Sequence, residues 1–156
     1  MLTIDSLAKV ILSCRDDISN KKLQKLAYYV YAWYLTIYGT EIADMSFEAW
    51  EHGPVCRRLY NNYRCYGWNE IPRFYGFVLA NDDDIKFVET VLNVYGVYTA
   101  DELEEMTHND APWQEARRGC PKHVASDAVI TKQSIIRFYN TQMNIRDRIV
   151  NQINKN

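Results

Sequence analysis

The stretch from Leu23 to Tyr38, LQKLAYYVYAWYLTIY, constrains the fold of this chain more than any other part of its sequence. Its apolar side chains recur at the three- and four-residue spacing of one helix face, not at the alternation of a strand. They are Leu23, Leu26, Ala27, Val30, Trp33, Tyr34 and Ile37. The opposite face carries tyrosine, alanine and leucine instead of charges. A helix that is apolar nearly all round is covered by other elements on several sides, so residues 20–38 are predicted to form a buried central helix.

A membrane span is the competing interpretation of the same stretch. No charge falls between Lys25 and Glu41, but this segment has too few apolar residues for the ~20 that a bilayer crossing requires. Its tyrosine hydroxyls also suit lipid poorly. The first ten residues include Asp5 and do not resemble a signal peptide. We therefore expect a cytoplasmic protein without a membrane segment.

The composition indicates one ordinary globular domain. A chain of 156 residues with 47% hydrophobic residues can bury a core without disulfides. The four cysteines, Cys14, Cys56, Cys65 and Cys120, show no CxxC pair and no metal-ligand spacing, so they are expected to be reduced thiols. A net charge of −2 argues against a general nucleic-acid binder. The twelve tyrosines indicate broad half-buried surfaces, such as interfaces use.

Periodicity and capping signals predict a mainly α fold, a single compact domain of about six helices with one minor, short β pair. The strand is expected within residues 45–50, pairing with Val129 and Ile130. Gly53-Pro54 is expected to open a helix, since proline suits the first helical position. Asp110 is expected to cap the helix that contains Trp113. Residues 68–80 show no clear pattern, and within them residues 74–79 suggest either a strand or a packed loop.

Three segments, taken in order, resemble one known family. They are KLQKLAYYVYAWYLTIYG, EAWEHGPVCRRLYNNYRCYG and ELEEMTHNDAPWQEAR, followed by Ile130-Thr131 and Ile135. The chain is similar to the Panacea domain family, also described as SocA-like and, in phages, as GepA-like. The similarity runs from about residue 4 to residue 139. It implies a domain over residues 1–139, with residues 140–156 as a C-terminal helical extension or a frayed tail.

The resemblance implies an antitoxin that neutralises a cognate protein toxin, encoded by a neighbouring gene, through direct contact. The family pattern falls first on Lys22, Leu23 and Lys25. Its other positions are expected to be mainly structural: Leu26, Tyr29, Trp33, Tyr34, Trp50, His52, Gly53, Pro54, Val55, Tyr60, Thr107, His108, Pro112, Trp113 and Arg117. This chain departs from the pattern at Ala27 and Tyr31, where many members carry leucine and glutamine.

A partner-binding face is predicted if the central helix and the helix after Gly53-Pro54 pack side by side. Its candidate cations are Lys21, Lys22, Lys25, Arg57, Arg58 and Arg64, and its candidate aromatic anchors are Tyr28 and Tyr31. The simpler interpretation is a solvated charged face. On either interpretation, reversing Lys22 and Lys25 to glutamate should leave the stability almost unchanged.

Other functions are weighed against the antitoxin. A Cys–His nucleophilic site could be sketched from His108, Asp110 and Cys120, but Cys120 lies between glycine and proline without an activating signature. We therefore expect no enzyme, and no spacing suggests a metal or cofactor. The alternative function is that of a DNA-binding or regulatory phage accessory protein. The net charge and the lack of a recognisable helix-turn-helix argue against this alternative. A homodimer is an alternative use of the tyrosine-rich surface.

Overall fold

The computed structural model describes residues 1–155, which form eight α-helices and one two-stranded antiparallel sheet. The helices are α1 (Ile4–Cys14), α2 (Asn20–Tyr38), α3 (Arg57–Tyr63), α4 (Asp82–Tyr95), α5 (Ala100–His108), α6 (Ala111–Arg117), α7 (Lys132–Tyr139) and α8 (Met143–Ile153); the strands are β1 (Glu48–Trp50) and β2 (Gly53–Val55). The predicted mainly α fold is confirmed. There are more helices than the predicted six or so, partly because the tail adds α8.

The central helix α2 has the predicted bounds and is surrounded by other elements. The Ser19 hydroxyl caps its first turn by accepting from the Lys22 amide, and Gly39 ends it in a left-handed conformation with φ of 73°. Every residue from Lys22 to Trp33 is buried. Helices α1, α3, α4, α5 and α7 all pack against α2. The near absence of a polar face in its sequence is therefore explained by cover on all sides.

Aromatic side chains fill the space between α2, α4 and α7. The Tyr29 ring stacks on Tyr95 with centroids 3.9 Å apart and planes 9° from parallel. The indole N–H of Trp33 donates to the Tyr95 hydroxyl at 2.8 Å. Tyr139 packs edge-on against Trp33, with ring centroids 5.3 Å apart. Because these rings come from three helices, the cluster fixes how α4 and α7 sit on α2.

Asp110 lies beside this cluster and does not act as predicted. It occupies the N-cap position of α6, but its side chain makes no capping hydrogen bond. Instead its carboxylate Oδ2 accepts from the hydroxyls of Tyr139 at 2.8 Å and Tyr29 at 3.2 Å. Burial raises the pKa of Asp110 to about 6, against the opposing effect of the two hydroxyl donors. The carboxylate thus ties α6 to α2 and α7.

The β structure differs from the prediction at Gly53-Pro54. These residues do not open a helix: Gly53–Val55 pairs antiparallel with Glu48–Trp50 in a hairpin, and α3 begins only at Arg57. The hairpin turns through two residues, and Gly53 makes the reversal possible with φ of 102°. The expected pairing with Val129 is confirmed as a single bridge to Glu48, beside which the Ile130 amide donates to the Phe47 carbonyl at 2.8 Å.

The remaining segments pack around this frame. Residues 68–80 form a loop, held where the Ile71 amide donates to the Ile18 carbonyl and the Phe74 amide to the Leu12 carbonyl. Residues 74–79 are neither a strand nor packed throughout, since Tyr75, Phe77 and Leu79 are exposed. Helix α8 packs on α4 and buries Ile149. All four cysteine thiols are free. Among residues 1–155, no helix combines the length and the apolar character that crossing a membrane would require.

We expect Trp33→Ala to lower the free energy of unfolding by roughly 3–5 kcal/mol, because it leaves a large cavity and strips the Tyr95 hydroxyl of its donor. Denaturant melts followed by circular dichroism would measure this loss. Trp68→Ala is the matched control: Trp68 is 82% exposed, so its loss should change stability by less than about 0.5 kcal/mol. Equal effects of the two changes would contradict the assigned core.

Asp110→Asn should change how stability depends on pH. Since its folded pKa of about 6 lies above the ordinary value of 3.8, the carboxyl stabilises the fold fully below pH 4. That contribution is lost as the pH rises through 6. Asparagine keeps an acceptor for the tyrosines and does not ionise, so the variant should gain up to about 3 kcal/mol on the wild type between pH 4 and pH 7. Parallel stability curves over this range would show the assignment to be wrong.

Candidate functional site: a groove between the central helix and the hairpin

The hairpin is held on one side by side chains that donate to three consecutive carbonyls of its first strand and turn. Arg117 donates to the Ala49 carbonyl at 2.8 Å, and the Trp113 indole donates to the Trp50 carbonyl at 2.9 Å. His108 Nε2 lies 2.9 Å from the Glu51 carbonyl, and only a protonated Nε2 can donate to it. These donors come from α5 and α6. They satisfy backbone groups that a two-stranded sheet leaves unpaired.

The central helix α2 holds the second strand and the start of α3. The ammonium of Lys25 donates to the Pro54 carbonyl at 3.1 Å. The Cys56 amide donates to the side-chain carbonyl of Gln24, also at 3.1 Å. Gly53 lies so close to α2 that a Cβ there would stand 2.5 Å from Lys25 Cε and 2.9 Å from Thr107 Oγ1. The hairpin therefore sits in fixed contact with α2, α5 and α6.

A groove of about 660 Å³ opens between α2, the hairpin, α3 and the loop before α7. We call it the hairpin groove. Its lining includes Asn20, Lys21, Gln24, Lys25, Trp50, Glu51, His52, Val55, Arg57, Tyr60, Arg64, Gly67, Trp68, Ala125, Ser126 and Asp127. Aromatic surface dominates one part of it, where the rings of Trp50 and Tyr60 meet edge to face at 5.1 Å.

The structure brings four of the six predicted cations to this groove: Lys21, Lys25, Arg57 and Arg64. Two of them already have acidic partners within the chain. Lys21 Nζ lies 2.7 Å from Asp101 and 2.6 Å from Glu104, and Arg57 lies 2.8 Å from Glu48. Among residues 1–155, neither Lys25 nor Arg64 lies within ion-pair distance of a carboxylate.

Lys25 is the most unusual of these cations because it is only 1% exposed. Within the described residues its sole hydrogen-bond acceptor is the Pro54 carbonyl, although an ammonium carries three donors. Burial lowers the pKa of Lys25 to about 7, together with the nearby charge of Lys21 and against the opposing effect of Glu104. The expectation that Lys25 belongs to a solvated face is therefore wrong.

Lys22 and Arg58 lie away from the hairpin groove. Lys22 is buried on another side of α2, where its ammonium donates to the Gly96 carbonyl at 2.8 Å and to Asp17 at 3.1 Å. Arg58 is exposed and lines a separate, smaller pocket with α1. Since Lys22 and Lys25 are both interior, their reversal to glutamate would bury two carboxylates. Contrary to the sequence-based expectation, it should destabilise the fold.

The predicted aromatic anchors are also interior. Tyr28 is fully buried and packs edge-on against Phe47, with ring centroids 5.3 Å apart. Tyr31 is buried too, and its hydroxyl donates to Glu41 at 2.8 Å. Neither side chain is available to a partner in the folded chain, because Phe47 packs against both rings and Tyr139 packs against Tyr28. The aromatic residues that reach the groove are Trp50, Tyr60 and Trp68.

The remaining positions of the family pattern divide between core and hairpin. Leu26, Tyr29 and Trp33 are buried in α2, and the half-buried Tyr34 donates to Asp84 at 3.3 Å. Pro112 is buried in the first turn of α6. His52, expected to be mainly structural, lies exposed in the hairpin turn, with Nδ1 3.3 Å from a Glu104 oxygen.

The sequence analysis missed several groove residues. Gln24 was not considered, although its side chain fixes the start of α3. The position of Trp68 could have indicated an exposed tryptophan, because it directly follows Gly67, which ends a helix, and such a position is poorly placed for the core. Residues 125–127 carry no local signal and reach the groove only because the chain pairs Val129 with Glu48.

The fold and the site define a small, mainly α domain in which the hairpin packs against the central helix and a groove lies between them. Residues 23–114, more than half of the chain, match the family described as "Antitoxin SocA-like, Panacea domain". The chain belongs to this family. The match includes α2 from Leu23 onward, the hairpin, α3, α4, α5 and the first residues of α6. A comparison with curated proteins gave no match, and a comparison with solved structures gave none.

Gly53→Ala tests the contact between hairpin and central helix, with Gly39→Ala as its matched control. Both glycines have positive φ, but an added Cβ meets nothing within 4 Å at Gly39 and displaces Lys25 at Gly53. Each change should cost about 1 kcal/mol for the backbone alone. Gly53→Ala should cost roughly 2 kcal/mol more in denaturant melts. Equal costs would mean that the close approach is not required.

Proposed function

We propose that this protein is an antitoxin that neutralises a cognate protein toxin by binding it directly. The observation that carries the proposal is the family match over residues 23–114. The family description supports this class of function, and we propose the hairpin groove as the surface that binds the toxin. Eleven of the sixteen residues that line the hairpin groove lie within the matched segment, and Asn20, Lys21 and residues 125–127 lie outside it. A groove with aromatic lining and charged rims suits protein recognition.

The proposal is for binding without chemistry of the chain's own. His108, the candidate base, is buried, and its Nε2 is engaged with the Glu51 carbonyl. Its ring packs against Trp113, with centroids 4.1 Å apart. Burial also lowers the pKa of His108, which supports a neutral imidazole that donates to the hairpin. These contacts support a structural role for His108.

The test is co-expression with the product of the neighbouring gene. That product is induced alone and then together with the wild-type chain, while growth and co-purification are followed. We expect growth arrest from the neighbour alone, recovery when both are expressed, and a stable complex. A harmless neighbour that forms no complex would contradict the proposal. Binding of the chain to its own promoter DNA in that case would favour the regulatory alternative.

The same assay separates binding from catalysis. Cys120→Ser should rescue growth as the wild type does, because no catalytic role is proposed for the thiol. His108→Gln keeps a side-chain donor for the Glu51 carbonyl and should also rescue, provided that its melt shows a folded protein. Loss of rescue by a folded variant that still co-purifies with the toxin would show that the residue takes part in a reaction.

A further inference from the structure

We infer that residues 74–80, FYGFVLA, bind a second copy of this chain through the side chains that they expose. The two segments run antiparallel across a twofold axis close to Phe77. Such a dimer is independent of the proposed function and goes beyond it. Three observations support it: the exposure of the segment, its fixed position on the core, and the charges at its two ends.

The first observation is an apolar surface that the fold leaves uncovered. Tyr75, Phe77 and Leu79 are 82%, 86% and 77% exposed. Among residues 1–155, no amide or carbonyl of residues 75–80 makes a backbone–backbone hydrogen bond. Single exposed apolar residues are common on protein surfaces, whereas a group of large ones on one segment marks an interaction site. Both the side chains and the backbone of this segment are therefore free to contact another chain.

The second observation is that the fold holds this segment in a defined position. Phe74, Val78 and Ala80 alternate with the exposed residues and pack against the hydrophobic core. The Phe74 amide donates to the Leu12 carbonyl at 3.1 Å at one end of the segment, and Asn81 caps α4 at the other end. A surface that is ordered before binding loses little conformational entropy on association, so this segment is suited to an interface.

The third observation is the charge along the segment, which makes it complementary to itself. Residues 74–80 are uncharged and follow Arg73, which has one distant carboxylate partner, Asp16 at 3.7 Å. Asp82 and Asp83, both exposed, lie at the other end. Antiparallel packing brings Arg73 of one copy towards the aspartates of the other, whereas parallel packing would bring the aspartates of both copies together. The charges therefore favour a second copy in the antiparallel direction.

The available area is sufficient for a weak dimer. A tyrosine or a phenylalanine buries roughly 150–250 Å² in a contact, so the three exposed side chains of each copy cover on the order of 1,000 Å² in total. This area is close to the lower limit for a specific interface. The net charge of −2 also leaves little repulsion between two copies. We therefore expect a dimer that forms at micromolar concentrations.

Sedimentation velocity of the purified full-length chain tests this dimer. Over about 1–100 μM protein, a range that brackets micromolar affinities, the wild type should shift from monomer to dimer. Phe77→Ser/Leu79→Ser should weaken dimerisation by about tenfold or more, because both side chains lie in the contact. The variant should melt as the wild type does, since both positions are exposed. Val97→Ser is the matched control: Val97 is 67% exposed but lies outside the segment, and this variant should dimerise as the wild type does.

Asp82→Lys tests the antiparallel direction. A lysine at this position would lie near Arg73 of the other copy, and like charges across an interface weaken it. We expect dimerisation to weaken in the same sedimentation experiment. In a parallel arrangement the change would instead relieve repulsion between acidic ends, so an equal or tighter dimer would overturn the inferred geometry.

Three other results would overturn the inference. The first is a monomer at every concentration. The second is a dimer that Phe77→Ser/Leu79→Ser leaves unchanged, or that Val97→Ser weakens equally. The third is association that continues beyond two copies, because a twofold contact closes on itself.

Co-expression with the product of the neighbouring gene distinguishes a second copy from the toxin as the occupant. Residues 74–80 lie outside the lining of the hairpin groove, so Phe77→Ser/Leu79→Ser should rescue growth and co-purify with the toxin as the wild type does. If this variant folds but loses both rescue and co-purification while the wild type alone is monomeric, the segment binds the toxin and the inference of a second copy is overturned.

Discussion

The burial of α2 on every side is the constraint on which the rest of the structure depends. A helix that buries each residue from Lys22 to Trp33 leaves no free face, so five other helices and the hairpin must be arranged around it. The aromatic contacts then determine that arrangement. The stack of Tyr29 on Tyr95 and the hydrogen bond from Trp33 to the same tyrosine align α4 with α2. Through Tyr29 and Tyr139, Asp110 adds α6 and α7 to the same frame.

The hairpin depends on this frame because two three-residue strands are too short to be stable alone. Its backbone groups are satisfied by donors from outside the sheet: Arg117, Trp113 and His108 on one side and Lys25 on the other. Most positions of the family pattern thus hold the hairpin against α2 or fill the core beneath it. The same arrangement leaves a groove at their boundary, so the residues that maintain the fold also shape the candidate binding surface.

The two interior lysines show where inference from sequence stops. Lysines in the first turns of a helix oppose its dipole and look like a solvated face, and nothing local distinguishes Lys22 from Lys25. The carbonyls that their ammonium groups reach come from distant parts of the chain, Gly96 for Lys22 and Pro54 for Lys25. The helix start predicted at Gly53-Pro54 was wrong because contacts with other parts of the chain decide the structure of this dipeptide. The dipeptide suits a helix start, but pairing with Glu48–Trp50 and the hydrogen bond from Lys25 make it a strand.

The sequence by itself determined the mainly α class, the bounds of α2 and the family. These follow from periodicity and from hydrogen bonds between residues three or four positions apart, which are local. Only the tertiary structure decided that Tyr28, Tyr31, Lys22 and Lys25 are interior, that Asp110 serves two tyrosines, and that Trp68 and residues 125–127 share a groove with α2. Each of these depends on contacts between segments far apart in the chain. The local spacing of residues does not indicate which distant segment packs against a given face.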